Sequence, residues 1–266
     1  MTRFLFLSAT CRLRGMRRAA ALLPVLALAA CGGVGREASG LRSPSLDTRL
    51  NLAQAAEASG QNEMALSLLQ SMAEAEPNRP EVQARYAAAL VRSGNLPRGE
   101  AVVNEALSRH GDSLPLLRTR AQLLLLQGKA AEAAATCEQI LAAAPRDVAA
   151  LDGRGVALDL QGQHAAAQAS YRAATRLAPE NAAVANNLAL SLILDGRPAE
   201  AVAVLGGFDR PDAPPRLRST LALALAGSGE MGRARERLDG QPGAADLDTV
   251  TALLMPAGAK PVSAGS

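Results

Sequence analysis

Residues 151–205 read LDGRGVALDLQGQHAAAQASYRAATRLAPENAAVANNLALSLILDGRPAEAVAVL, and within them Gly162 and Gly196 stand 34 residues apart. Working outward, the same interval leads back to Gly128, Gly94 and Gly60. A fixed period of this length marks an array of one repeated supersecondary unit. Starting each unit fourteen residues before its glycine gives spans 46–79, 80–113, 114–147, 148–181 and 182–215. The eighth residue of each span is Ala53, Ala87, Ala121, Gly155 and Ala189, and the twentieth is Ala65, Gly99, Ala133, Ala167 and Ala201. Two helices approach closely where such small residues meet. Unbroken smallness at both positions is more than an alanine-rich composition explains.

Larger residues fill the complementary places. The seventh position includes Leu52, Tyr86 and Leu188, and the twenty-fourth holds Leu69, Val103, Cys137, Tyr171 and Leu205, all read as core. Apolar residues three or four apart line one helical face, and the central glycine admits the turn between two helices. Pro77, Pro145 and Pro179 sit at the thirty-second position, where they end the second helix; the second unit has Gly111 there. The fifth unit runs into Gly206-Gly207 and the proline-rich joint Pro211 to Pro215. Beyond it, Leu221-Ala222, Gly229, Ala234 and Leu238 recover the landmarks, with Gly229 arriving after 33 residues instead of 34. The pattern predicts an all-α repeat array over 46–239, with five full helical hairpins and an irregular sixth. A short cap over 241–255 and a fraying tail, rich in small and helix-breaking residues, complete 240–266.

The N-terminal region has a different character. Ala19 to Ala30 is apolar apart from Pro24, follows Arg17-Arg18 and stops at Cys31. A bilayer core takes about 20 helical residues to cross, so this stretch is too short for a stable span. A basic flank, a short apolar centre and small residues before a cleavage point read as a secretion signal. Leu28-Ala29-Ala30-Cys31 resembles a bacterial lipobox, which implies cleavage after Ala30 and covalent lipid on the Cys31 thiol. The alternative is a buried cysteine ending an ordinary apolar helix. Residues 1–30 are therefore expected to be a signal peptide, with Met16 an alternative start, and 31–45 a lipidated tether. Gly32, where an aspartate often marks retention in the inner membrane, favours the periplasmic face of the outer membrane.

Removal of that segment changes the electrostatics. Residues 1–30 carry five arginines and no acid, so 28 basic residues fall to 23 against 25 acidic, and the formal +3 becomes about −2. Export, a mildly acidic mature charge and 2% aromatic residues argue against nucleic-acid binding. Of the three cysteines, Cys11 leaves with the signal and Cys31 takes lipid. Cys137 alone cannot form an intrachain disulfide.

The period and its filled positions resemble the tetratricopeptide repeat throughout 46–239. More narrowly, Leu151 to Leu205 resembles TadD, a lipoprotein of tight-adherence (Tad/Flp) pilus assembly, through GRGVALD at 153–159 and NNLALSL at 186–192. That resemblance implies a non-catalytic accessory role, with protein components of a pilus or secretion machine as partners, including an outer-membrane secretin. It makes Cys31 the anchor and places Asp152, Asp159, Asn186 and Asn187 in a protein-contact surface. A general outer-membrane or envelope assembly scaffold, unconnected with a pilus, shares the same anchor and repeats.

Stacked helical pairs expose broad faces in place of one deep pocket. In a tetratricopeptide unit the second, fifth, ninth, twelfth and thirteenth residues tend to face the groove. That rule selects Arg118, Gln122, Leu125 and Leu126 in the third unit, and Asp152, Val156, Asp159 and Leu160 in the fourth. In the fifth it selects Asn186, Leu190, Ile193 and Leu194. Apolar contacts from such a set supply affinity for an extended chain or helix, and polar groups fix its position. The competing reading has the leucines packing between repeats and the acids solvated.

An enzyme with an unrecognised long-range site is the remaining class. His110 and His164 lie in different units with no ligand spacing around them. Cys137 falls at a core position, and Ser191 has no nucleophile-elbow context. The glycines mark repeat turns, not a phosphate loop. The sequence therefore gives no small-molecule substrate, metal or cofactor beyond the lipid expected on Cys31.

Overall fold

The computed structural model describes residues 45–210 and 212–238, where α-helices are joined by turns and short irregular links. Six helical pairs follow one another: α1 (Leu46–Ala58) and α2 (Asn62–Ala75), α3 (Pro80–Arg92) and α4 (Leu96–Arg109), α5 (Leu114–Leu126) and α6 (Ala130–Ala143). They continue with α7 (Val148–Asp159) and α8 (His164–Leu177), α9 (Ala182–Leu194) and α10 (Pro198–Gly206), α11 (Pro215–Gly227) and α12 (Met231–Leu238). The all-α repeat solenoid expected from the 34-residue period is what the chain forms. Residues 1–44 and 239–266, which include the signal, Cys31, the tether and the expected cap, lie outside the described residues.

Each pair turns by one device. Gly60, Gly94, Gly128, Gly162, Gly196 and Gly229 have φ between 71° and 85°, a left-handed conformation that only glycine adopts without steric cost. The residue after each glycine donates its N–H to a carbonyl five residues back, from Gln61 to Ala56 at 2.8 Å through to Glu230 to Leu225 at 2.9 Å. These bonds satisfy the last carbonyls of the first helix and aim the chain into the second. The second helices of the first, third and fourth pairs end two residues before Pro77, Pro145 and Pro179, and α4 ends two before Gly111. Side chains also cap several starts: Asp147 Oδ1 accepts from Ala150 N at 2.9 Å, and Asn181 Oδ1 from Ala183 N at 3.1 Å.

The eighth, twentieth and twenty-fourth positions are buried in all five full units. Gly155 shows why smallness is required: a Cβ built there would lie 2.4 Å from Tyr171 Cε1. Where the fourth unit puts its largest residue at position twenty-four, it has given up the last carbon at position eight. Leu52 departs from expectation, being 54% exposed. Tyr86, its equivalent in the second unit, packs on Leu69 and Met72 of the preceding pair. Among the described residues no helix precedes α1, so Leu52 has nothing equivalent to pack on. The irregular sixth pair is fully joined to the core, with Leu221, Ala222, Ala234 and Leu238 buried beside Leu205.

Candidate protein-binding groove

The first helices of neighbouring pairs touch in sequence, α3 on α5, α5 on α7, α7 on α9 and α9 on α11. Hollows lie at three places between first helices. Between α1 and α3 a polar hollow of about 270 Å³ is lined by Gln54, Glu57, Arg85, Ala88 and Arg92. Between α5 and α7 one of about 350 Å³ is formed by Arg118, Gln122 and Leu125 on one side and by Ala149, Asp152, Gly153 and Val156 on the other. Between α9 and α11 a smaller one of about 220 Å³ takes Ala182, Ala183, Asn186 and Asn187 with Pro214, Arg216 and Leu217. Two of the three volumes fall below those of pockets that enclose a drug-sized ligand, and a row of such hollows suits side chains of a partner laid along it.

The middle hollow gathers five of the residues selected from sequence. Arg118 is positioned by Asp147, whose buried Oδ2 accepts from its Nε at 2.7 Å while Oδ1 caps α7. The guanidinium is thus oriented across the joint and remains half exposed. Gln122 makes no such commitment and stands exposed at the rim. Asp152 is half-buried and accepts from Asn187 Nδ2 at 3.0 and 3.2 Å, tying the fourth unit to the fifth. Burial raises the Asp152 carboxyl above its ordinary range, and the Asn187 bond partly offsets that. The floor is Cys137, which a Cβ on Gly153 would approach to 3.2 Å. Burial pushes that thiol up to about 11, so it is a neutral core group, not a thiolate nucleophile.

Other selected residues are placed differently. Asp159 is held inside the fold, its Oδ1 meeting Ser191 Oγ at 2.7 Å and His164 Nδ1 at 2.8 Å, its Oδ2 accepting from Tyr171 Oη at 3.0 Å. It joins α7, α8 and α9 and has little capacity left for a ligand. Ile193 is buried in the core, Leu190 is half-buried, and Asn186 is buried at the wall of the third hollow. Leu126, Leu160 and Leu194, one per unit at position thirteen, are each more than half exposed.

Sequence reasoning overlooked Gln54, Glu57, Arg85 and Arg92 of the first joint, although Gln54, Glu57 and Arg92 occupy the ninth, twelfth and thirteenth positions that the same rule selects. It also overlooked Arg216, which is the second residue of the sixth unit only once the 33-residue step is allowed for. Among the described residues no group of three or more His, Cys, Asp or Glu is placed to hold a metal ion. No described helix is long and apolar enough to cross a membrane.

Two models of the tetratricopeptide-repeat family match the chain, one over residues 56–123 and the other over 118–167 and 153–214. Together they span more than half of it, and the chain belongs to the tetratricopeptide-repeat family. Like other arrays of this family, it is a non-catalytic module that presents an extended surface to proteins. Its fold is similar to that of PilF from Pseudomonas aeruginosa, at 17% identity and a TM-score of 0.62, over 78% of this chain and 96% of that one. A tetratricopeptide-repeat protein from Parabacteroides merdae is similar at 16% identity and a TM-score of 0.60, over 78% and 82%. MamA from Desulfovibrio magneticus matches at 24% identity and a TM-score of 0.50, over 60% and 91%. At these identities the likeness is one of fold. No curated protein matches by sequence.

Proposed function

We propose that this chain is a lipid-anchored scaffold of the bacterial envelope, tethered through Cys31 at the periplasmic face of the outer membrane and holding client proteins along the row of first helices. The observation that carries the reading is the series of hollows at α1/α3, α5/α7 and α9/α11, each combining polar groups with wall surface that a client side chain would cover. The Leu28-Ala29-Ala30-Cys31 segment supports the anchor. The resemblance of residues 151–205 to TadD supports a narrower reading, in which the clients belong to a Tad/Flp pilus machine and include its secretin. The general envelope scaffold needs only the repeats and the anchor, and is the better supported of the two.

A photo-cross-linking residue at Gln122, in the middle hollow, tests this in cells, with the same probe at exposed Gln139 on the second helix α6 as control. Defined adducts at Gln122 and none at Gln139 are expected. Secretin or pilus components in those adducts favour the narrower role, and other envelope proteins the general one. Equal labelling at both positions, or none at either, refutes the groove.

A further inference from the structure

Helix α5 borders a second hollow, of about 230 Å³, where α4 meets the third pair. On a helix of about 3.6 residues per turn, Arg120, Leu123, Leu124 and Gln127, which line it, lie on the opposite side from Arg118, Gln122 and Leu125 of the groove. Its floor is Val103 of α4 with Leu123 and Leu124, all buried.

Arg120 stands at the seventh position of its unit, a place filled by Tyr86 and Leu188, each 4% exposed, in the second and fifth. The fourth unit also has an arginine there, but Arg154 Nε donates to Ser170 Oγ at 3.0 Å. Arg120 is half-buried and, among the described residues, has neither a hydrogen bond nor an ion pair. In the second unit the nineteenth residue serves the seventh, Arg98 Nε donating to Tyr86 Oη at 3.0 Å. The third unit has Glu132 at position nineteen, an acid supplied to an arginine, yet the two line one hollow without closing into an ion pair.

The other two charges of the hollow satisfy each other. Lys129 Nζ lies 3.7 Å from Glu100 Oε1, and Gln127 Nε2 donates to Glu100 Oε2 at 2.7 Å. That bond leaves Gln127 Oε1 buried without a partner. Three groups therefore remain unmet around an apolar floor: a guanidinium that needs an acceptor, and a carboxylate and an amide oxygen that need donors. A half-buried unpaired charge and an orphaned acceptor both cost the free protein stability. A simple anion would face Glu132 and a simple cation would face Arg120, whereas a ligand carrying both charges meets each need.

Independently of the groove reading, we propose that this hollow binds a small zwitterion of the free α-amino-acid class. Its carboxylate accepts from Arg120, its ammonium donates to Glu132 and to Gln127 Oε1, and a short aliphatic side chain covers Val103, Leu123 and Leu124. The volume is below that of pockets for drug-sized ligands, which suits a molecule of this size. Walls from α4 of one pair and from α5 and α6 of the next let the ligand brace the joint between them.

Isothermal titration calorimetry of the full chain with each standard free amino acid tests this. An aliphatic amino acid should bind, and its C-amide and its N-acetyl derivative should each bind at least about tenfold more weakly, the size of one charge-assisted hydrogen bond. Glu132→Gln should weaken binding by a similar factor. Arg120→Leu should abolish binding and raise the melting temperature of the ligand-free chain by about 2 to 4 °C, because it restores the leucine that the fifth unit buries at this position. An arginine kept for structure would lose stability on the same change. Should Arg120→Leu misfold, seen by circular dichroism, Arg120→Gln supplies the binding comparison. Absence of binding by every amino acid, binding that survives removal of either ligand charge, or binding retained without Arg120 overturns the site.

Discussion

Replacing Gly155 by alanine asks whether the array tolerates one extra carbon where its largest core residue sits. The new Cβ would fall 2.4 Å from Cε1 and 2.7 Å from Cδ1 and Cζ of Tyr171, separations that packed carbons do not adopt. The ring has little room to retreat. It is buried among Ala185, Leu188 and Ala189 of the next pair, and its hydroxyl is fixed on Asp159. Overpacking of this kind costs about 1 to 3 kcal/mol, while replacing glycine by alanine within a helix returns at most about 1 kcal/mol. A net loss of about 1 to 2 kcal/mol is expected in urea denaturation followed by circular dichroism. Two variants make the number specific. Gly232→Ala on α12, where the added carbon meets nothing, should be neutral or stabilising by up to about 1 kcal/mol. Gly155→Ala combined with Tyr171→Leu reproduces the alanine and leucine that the first and fifth units carry at these positions, so the two changes should be coupled favourably in a double-mutant cycle. A Gly155→Ala protein as stable as the parent, with no coupling to Tyr171, would refute the idea that residue size at positions eight and twenty-four is matched within each unit.

Two further outcomes are expected. Metabolic labelling with a fatty acid should mark the parent chain and leave a Cys31→Ser variant unlabelled and released from the membrane fraction, since durable attachment requires acyl chains; equal label on both would sink the lipid anchor. Because burial holds the Cys137 thiol protonated up to about 11 while the unfolded thiol ionises near 9, the native state binds more protons in that window, and its stability should fall between about pH 9 and 11. Cys137→Ala should lack that loss, and in the parent a thiol reagent should reach Cys137 only as fast as the protein opens. Rapid modification of the folded chain at neutral pH would contradict the burial.

The fold was legible because the information that sets it is local and repeated. A left-handed turn demands glycine, a close helix crossing demands alanine or glycine, and a helix end tolerates proline just beyond it, so each constraint leaves the same letter every 34 residues. Leu52 was misread because the period records the seventh position and not whether a neighbour precedes it. The groove was less legible for a related reason. Positions five and twelve face it in principle, yet whether Asp152 and Asp159 are open to a ligand depends on Asn187, Ser191 and Tyr171, which reach them from other helices. No periodicity announces those bonds. Arg216 was hidden by the single missing residue that displaces the sixth unit from register.

The same distinction bears on specificity. The turn glycine and the small residues at the close helix crossings recur in every unit of this chain, whereas the residues at the joints change from one to the next. The first joint pairs Glu57 with Arg92 beside Arg85, the middle carries Arg118, held by Asp147, and Asp152, held by Asn187, around apolar walls, and the last has the Asn186 amide and the Arg216 cation among its lining residues. A client lying along the row meets a different chemistry at each, so its direction and register are fixed by charge and hydrogen-bond matching, while the apolar surface it covers supplies affinity with little regard to sequence. Arrays with identical helical pairs can therefore bind unrelated partners, and fold similarity to PilF or MamA does not transfer a client to this chain. What separates one such scaffold from another is the short set of side chains at the joints, here Gln122, Asp152, Val156, Asn186 and Arg216, set on a framework that the 34-residue repeat holds in place.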